Sequence, residues 1–236
     1  MSTKAFTNAL RAAFPRTLPV MAGYIVLGFG FGLLLQSKGY SFLWAVLMST
    51  TIYGGSMQFV TVDLISSGAS LLTAGIMTLI IQARHLFYGL SMISKYRGAG
   101  KVKPYLIFGL TDETYSLVCT GDVPDGIDKG PYYLFITLLD EIYWVIGSAL
   151  GGIFGQLVTV NTEGVDFSMT ALFVVILIDN LLKPECRLSA LTGLAVSFIC
   201  LIIFGPDSFL IPSMIGIAAA LMLLRPILDN RRELGK

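Results

Sequence analysis

Apolar stretches close to the length of a bilayer crossing recur along the whole chain, at about 17–36, 42–66, 69–93, 104–120, 131–157, 167–182, 188–204 and 209–228. A hydrocarbon core about 30 Å thick is crossed by a helix of about 20 apolar residues, so few soluble folds accommodate this pattern. Only 13% of residues are charged and 55% are hydrophobic, where a soluble domain carries about 25% charge. The expectation is an all-α polytopic membrane protein with eight hydrophobic segments and one membrane domain over residues 1–236. Its partner is the lipid bilayer. A net charge of +1, with its charges sorted by side, gives no reason to expect nucleic acid. Cys119, Cys186 and Cys200 are scattered and odd in number, so neither a disulfide framework, a metal site nor a cofactor is expected. Lys4, Arg11 and Arg16 precede an apolar run longer than a signal-peptide core, and that run reads as an uncleaved first helix.

Lysine and arginine set the orientation. If every segment crosses, ten lie on the side of the termini and five on the other, which puts both termini in the cytoplasm. Four of those five, Lys95, Arg97, Lys101 and Lys103, then sit in one loop on the wrong side. If segments 42–66 and 131–157 instead dip in and return, the tally becomes thirteen against two. Both carry glycines near their middle, Gly54-Gly55 in one and Gly147, Gly151, Gly152 and Gly155 in the other, so both are expected to be discontinuous or re-entrant. A shift that places Gly55 on Gly151 suggests a 3+3 inverted repeat of 17–93 and 104–182, followed by a helical hairpin at 188–228.

Polar residues inside these segments are the candidates for chemistry. Gln82-Ala83-Arg84-His85-Leu86-Phe87-Tyr88-Gly89 interrupts an otherwise apolar segment. A charge at that depth costs about 2.5–3.5 kcal/mol on insertion scales unless it is partnered or hydrated. Arg84 and Tyr88 share a helix face, with His85 on the neighbouring stripe. Arg84 could clamp a carboxylate bidentately and His85 could shuttle protons, or the two could be a structural ion pair and a satisfied imidazole. Tyr53-Gly54-Gly55-Ser56-Met57-Gln58-Phe59 pairs two glycines with polar side chains. A helix opened there would aim backbone N–H groups at an anion, whereas close helix packing would need the glycines but not Gln58. Thr111-Asp112-Glu113 and Asp140-Glu141 each place adjacent carboxylates in an apolar segment, while Asp63 and Asp179-Asn180 lie nearer segment ends. Six acids against Arg84 alone leave an untenable net charge in a dry interior, so protons, cations or water must neutralise part of it. Proton or cation coupling through His85, Asp112, Glu113, Asp140 and Glu141 follows, with a salt bridge to Arg84 or helix-end solvation as the alternatives for Asp112-Glu113.

Residues 53–59, then Arg84-His85-Leu86-Phe87-Tyr88-Gly89, then Thr111-Asp112-Glu113, with Leu18-Pro19 ahead of a glycine-rich first helix, resemble the AzlC family of branched-chain amino acid exporters. The resemblance covers about residues 14–120. It implies a cytoplasmic-membrane permease that expels leucine, isoleucine, valine and sometimes methionine, working with a small multi-spanning subunit of the AzlD type. The site roles come from the residues themselves. Tyr53, Gly54, Gly55, Ser56, Gln58, Arg84 and Tyr88 are expected to bind substrate, with Phe59 and Phe87 shaping its side-chain pocket. A secondary transporter without enzymatic activity is the leading reading. A passive channel for a small polar solute or ion is the alternative, and an intramembrane serine hydrolase built on Ser56 and His85 is a third.

Overall fold

The computed structural model describes residues 3–120, 123–157, 184–206 and 208–234, with positions 174, 177–178 and 181–182 between them. They are helical and fall into two compact units, Met1–Ser168 and Met169–Lys236.

The first unit is built on two long helices, α1 (Thr3–Ser37) and α8 (Lys129–Leu157). Phe6 meets Phe135, Tyr24 meets Trp144 and Phe29 meets Phe154, at ring-centroid separations of 5.8, 5.4 and 5.5 Å. Both partners advance together in number, so the helices run parallel. Glycines allow the approach, as small residues do between membrane helices. A Cβ on Gly28 would lie 2.9 Å from the Trp144 carbonyl oxygen and one on Gly147 2.7 Å from that of Ile25. On Gly32 or Gly151 it would overlap the facing backbone outright. This corrects the expectation for segment 131–157, which is one unbroken helix. Its glycines serve close packing on α1 rather than a break, and the match of Gly55 with Gly151 has no counterpart in the structure.

Segment 42–66 is broken, as expected from Gly54-Gly55. Helix α2 (Phe42–Thr51) ends at Ile52, Tyr53 takes φ +40°, and α3 (Gly55–Ser66) begins after an extended Gly54. The left-handed backbone at a bulky residue costs on the order of 1–2 kcal/mol. The start of α2 packs on the C-terminal part of α8, with Phe42 against Gly152. The end of α3 returns to the same end of the bundle, where Ser66 and Ser67 line a recess with Lys38 and Asp63. Helices α2 and α3 therefore form a hairpin that reaches only part-way along α1.

Two breaks lie where no glycine pair announced them. Segment 69–93 divides at Ala83 into α4 (Leu71–Gln82) and α5 (Arg84–Met92), bent by 47°. Segment 104–120 divides at Gly109–Thr111 into α6 (Lys103–Phe108) and α7 (Asp112–Thr120). Helix α7 returns to the end where α6 began: Arg16 of α1 donates to the Leu117 carbonyl (3.4 Å), and Lys95 donates to those of Val118 (2.6 Å) and Cys119 (2.7 Å). These cations satisfy carbonyls that a helix C-terminus leaves unpaired and complement its dipole. Helices α6 and α7 thus form a second hairpin, entering from the end opposite to the first. The tips meet, with the Tyr53 ring 6.3 Å from that of Phe108.

The loop Lys95–Lys103 lies at the α1 N-terminal end. Tyr96 packs on Tyr133 at 5.7 Å, and Ala99 abuts Gly130. Arg11, Arg16, Lys95, Arg97, Lys101, Lys103 and Lys129 therefore gather at one end of this unit and Lys38 at the other. The charge tally was right to move the basic loop, but the second doubling-back segment is 104–120 rather than 131–157.

In the second unit, α9 (Pro184–Phe204) and α10 (Leu210–Leu234) pack together through a tight turn at Gly205, φ +75°. Segment 167–182, with Asp179 and Asn180, lies largely outside the described residues, as does Lys183. Among the described residues, three helices are long and apolar enough to cross a bilayer, or four when the bent α4–α5 pair counts as one. Eight expected segments do not become eight crossings, because 42–66 and 104–120 fold into helices too short to span.

Candidate substrate site

The three breaks of the first unit converge. Arg84, at the first turn of α5, forms an ion pair with Asp112 at the first turn of α7 (2.7 Å) and donates to Ser56 Oγ at the first turn of α3 (2.8 Å). Gln82 lays its amide against Gly54, where a Cβ would collide with it. Three helix N-termini thus point toward one cluster. Their dipoles favour a negative charge there, and Thr111 Oγ1 already accepts from the Thr114 N–H at the start of α7. The pair is only partly buried: the side chains of Arg84 and Asp112 remain 27% and 18% exposed.

The other expected site residues separate into three groups. Tyr53, Gly54, Gly55 and Ser56 lie at the break itself, with the Tyr53 side chain buried. Gln58 and Phe59 belong to the packed interior. Gln58 is 0% exposed and cross-links three elements, donating to Ser49 Oγ (3.2 Å) and accepting from Trp144 Nε1 (2.8 Å). Phe59 packs on Phe31 at 5.7 Å. The side chain of Phe87 lies outside the described residues. Tyr88 stacks on Tyr115 of α7 at 4.5 Å, and His85 packs edge-on against Tyr88 at 5.6 Å. No hydrogen bond joins His85 to Ser56, whose hydroxyl is taken by Arg84, so the dyad that a hydrolase would use is not formed.

Behind the ion pair runs a chain of hydroxyl groups. Tyr24 of α1 donates to Glu113 Oε2 (2.7 Å) and lies 2.7 Å from Thr111 Oγ1. Thr111 Oγ1 is 3.1 Å from Thr114 Oγ1, which donates to Asp140 Oδ2 (2.8 Å). The Tyr105 hydroxyl donates to Glu141. Sequence reading singled out the acids but missed Tyr24, Tyr105 and Thr114. An isolated tyrosine or threonine in an apolar helix carries no local signal, and only the meeting of α1, α6, α7 and α8 gives these residues a role.

The family described as AzlC protein matches residues 19–158. The chain is 48% identical over 222 residues to the branched-chain amino acid transport protein AzlC of Bacillus subtilis (strain 168), covering 94% of this chain and 87% of that protein. This chain belongs to the AzlC family. The AzlC match takes in both hairpins and α8, and so extends past residue 120, where the quoted motifs end. The chain is also 40% identical to an uncharacterized membrane protein of Haemophilus influenzae (strain ATCC 51907 / DSM 11121 / KW20 / Rd), over 96% of this chain and 93% of that one. It is 30% identical to the inner membrane protein YgaZ of Escherichia coli (strain K12), over 75% and 76%. No solved structure matches the chain. The AzlC-family chain is a helical membrane protein, and the names of these relatives describe transport and membrane proteins.

Proposed function

We propose that this protein exports branched-chain and related neutral amino acids across the cytoplasmic membrane by alternating access, driven by coupled proton or cation movement. One observation carries the reading: the Arg84–Asp112 ion pair, partly exposed, at the meeting of three helix N-termini. A zwitterionic amino acid matches that pair group for group. Its carboxylate would take over Arg84, Ser56 Oγ and the N–H groups opened at Gly54 and Gly55. Its ammonium would take over Asp112. Separating two partly buried charges is least costly when each receives an equivalent partner, and the substrate brings both. Tyr53 and Tyr88 flank the position.

In the membrane, the basic end of the first unit, with the N-terminus, would face the cytoplasm, and the basic C-terminal residues Arg231, Arg232 and Lys236 support the same side for the C-terminus. Crossings α1, α4–α5 and α8 would alternate with hairpins α2–α3 and α6–α7. A hairpin followed by a crossing, used twice from opposite faces, is the form of inverted repeat that supports this arrangement better than a 3+3 division. Both units would act as one transport domain, with a small AzlD-type subunit as companion. Leucine, isoleucine, valine and methionine are the substrates to try. Counterflow of labelled leucine into proteoliposomes, with and without that subunit, tests the proposal. Absence of counterflow for all four amino acids under both conditions would end it.

A further inference from the structure

Asp140 is the buried acid whose surroundings the substrate site does not explain. It is 0% exposed; Thr114 donates to one of its oxygens, and the other, Oδ1, has no partner among the described residues. The groups facing it are Tyr24 from α1, Tyr53 from the α2–α3 break, Tyr105 from α6, Glu113 from α7 and its own neighbour Glu141. None of these is a cation. Arg84 is committed to Asp112 and Ser56. A bare carboxylate held in a dry interior by one neutral hydroxyl is costly, and binding a proton removes that cost. Tyr53 places a second buried hydroxyl in the same surroundings.

We infer that a hydroxyl relay, Asp140 to Thr114 to Thr111 to Tyr24 to Glu113, carries the coupling proton past the substrate site, resting on the transport reading above. The links are oxygen–oxygen contacts of 2.7–3.1 Å; three hydroxyl protons serve four of them, so all four are hydrogen bonds when one of the two end acids carries a proton, and Tyr24, Thr111 and Thr114 are buried away from competing water. The balance is simple. Protonated Asp140 gives its proton to Thr114. Each hydroxyl releases its own proton as it receives one, and Glu113 takes the last. No bond between heavy atoms changes, and the hydroxyls end rotated but otherwise unaltered. Acid chains of this kind serve as proton relays in membrane pumps and transporters. Glu113 follows Asp112 in the chain, so the proton arrives beside the residue that would hold the substrate ammonium. Proton arrival and substrate release are thereby placed within one turn of α7.

The test uses the full chain in proteoliposomes, with its companion subunit if wild-type transport needs it, and two readouts: leucine counterflow, and leucine accumulation driven by an acid-inside pH gradient. Tyr24→Phe and Thr114→Val each remove one hydroxyl from the relay. Asp140→Asn fixes the neutral form. All three are expected to retain counterflow and lose gradient-driven accumulation. Tyr143→Phe removes a buried hydroxyl of the same helix that bonds to Thr17 outside the relay, and is expected to keep both activities. Wild-type accumulation that ignores the pH gradient, or that persists in both Tyr24→Phe and Thr114→Val, overturns the relay. If Asp140→Asn does not fold, those two variants still decide. Failure of wild-type counterflow would instead count against the transport reading.

Discussion

At the scale of the residue, Arg84 does two jobs that a lysine could not combine. Its guanidinium reaches Asp112 and Ser56 through different nitrogens, which a single ammonium cannot reproduce with the same geometry. Arg84→Ala is expected to abolish counterflow, the loss of a charge-assisted contact worth about 3 kcal/mol corresponding to roughly a hundredfold in affinity. Arg84→Lys should restore part of it. Normal transport by Arg84→Ala would show that Arg84 is scaffolding. Gln58 invites a different measurement because its bonds to Ser49 and Trp144 are internal. Gln58→Leu is expected to lower thermal stability in detergent by about 1–3 kcal/mol, through the unpaired indole N–H it leaves behind. Sequence alone could not separate these roles. Both residues are polar in an apolar segment, and only the partners separate the partly exposed ion pair of Arg84 from the buried cross-link of Gln58.

At the scale of the element, glycine means two things here, and the local sequence does not say which. Gly54-Gly55 opens a helix, whereas Gly147 and Gly151 let α8 lie against the α1 backbone. The breaks at Ala83 and at Gly109–Thr111 were less legible still. Ala83 is a good helix former, and its bend lies where Arg84 finds polar partners on α3 and α7. Gly151→Val is therefore expected to prevent folding of the α1–α8 pair, seen as loss of monodisperse protein on gel filtration, because the new side chain would overlap the Phe29 backbone. Gly75 in α4 has nothing near its missing Cβ. Gly75→Ala should leave transport intact and raise thermal stability by up to about 1 kcal/mol. Equal tolerance at both positions would contradict the packing described.

At the scale of the whole molecule, hydropathy revealed the all-helical membrane character but not the number of crossings. Segments 42–66 and 104–120 are long enough to span when read as single helices, and they fail to span because each doubles back on itself. Cysteines placed one at a time in a cysteine-free background test this arrangement. Arg97→Cys and Gly126→Cys are expected to react from one face of the membrane with an impermeant maleimide, and Lys38→Cys and Ser67→Cys from the other. Labelling of Lys38→Cys and Ser67→Cys from opposite faces would make α2–α3 a crossing. The hairpins also bear on how the chain is made. A half-depth hairpin with opened backbone is poorly tolerated by lipid unless protein covers it. The cover for α2–α3 includes Trp144, which bonds Gln58, and Gly152, which receives Phe42. Those residues leave the ribosome long after Ser66, about ten seconds later at ordinary rates of synthesis. For that interval the first hairpin must wait outside its final place, at the membrane surface or in the hands of an insertase, until α8 arrives to receive it.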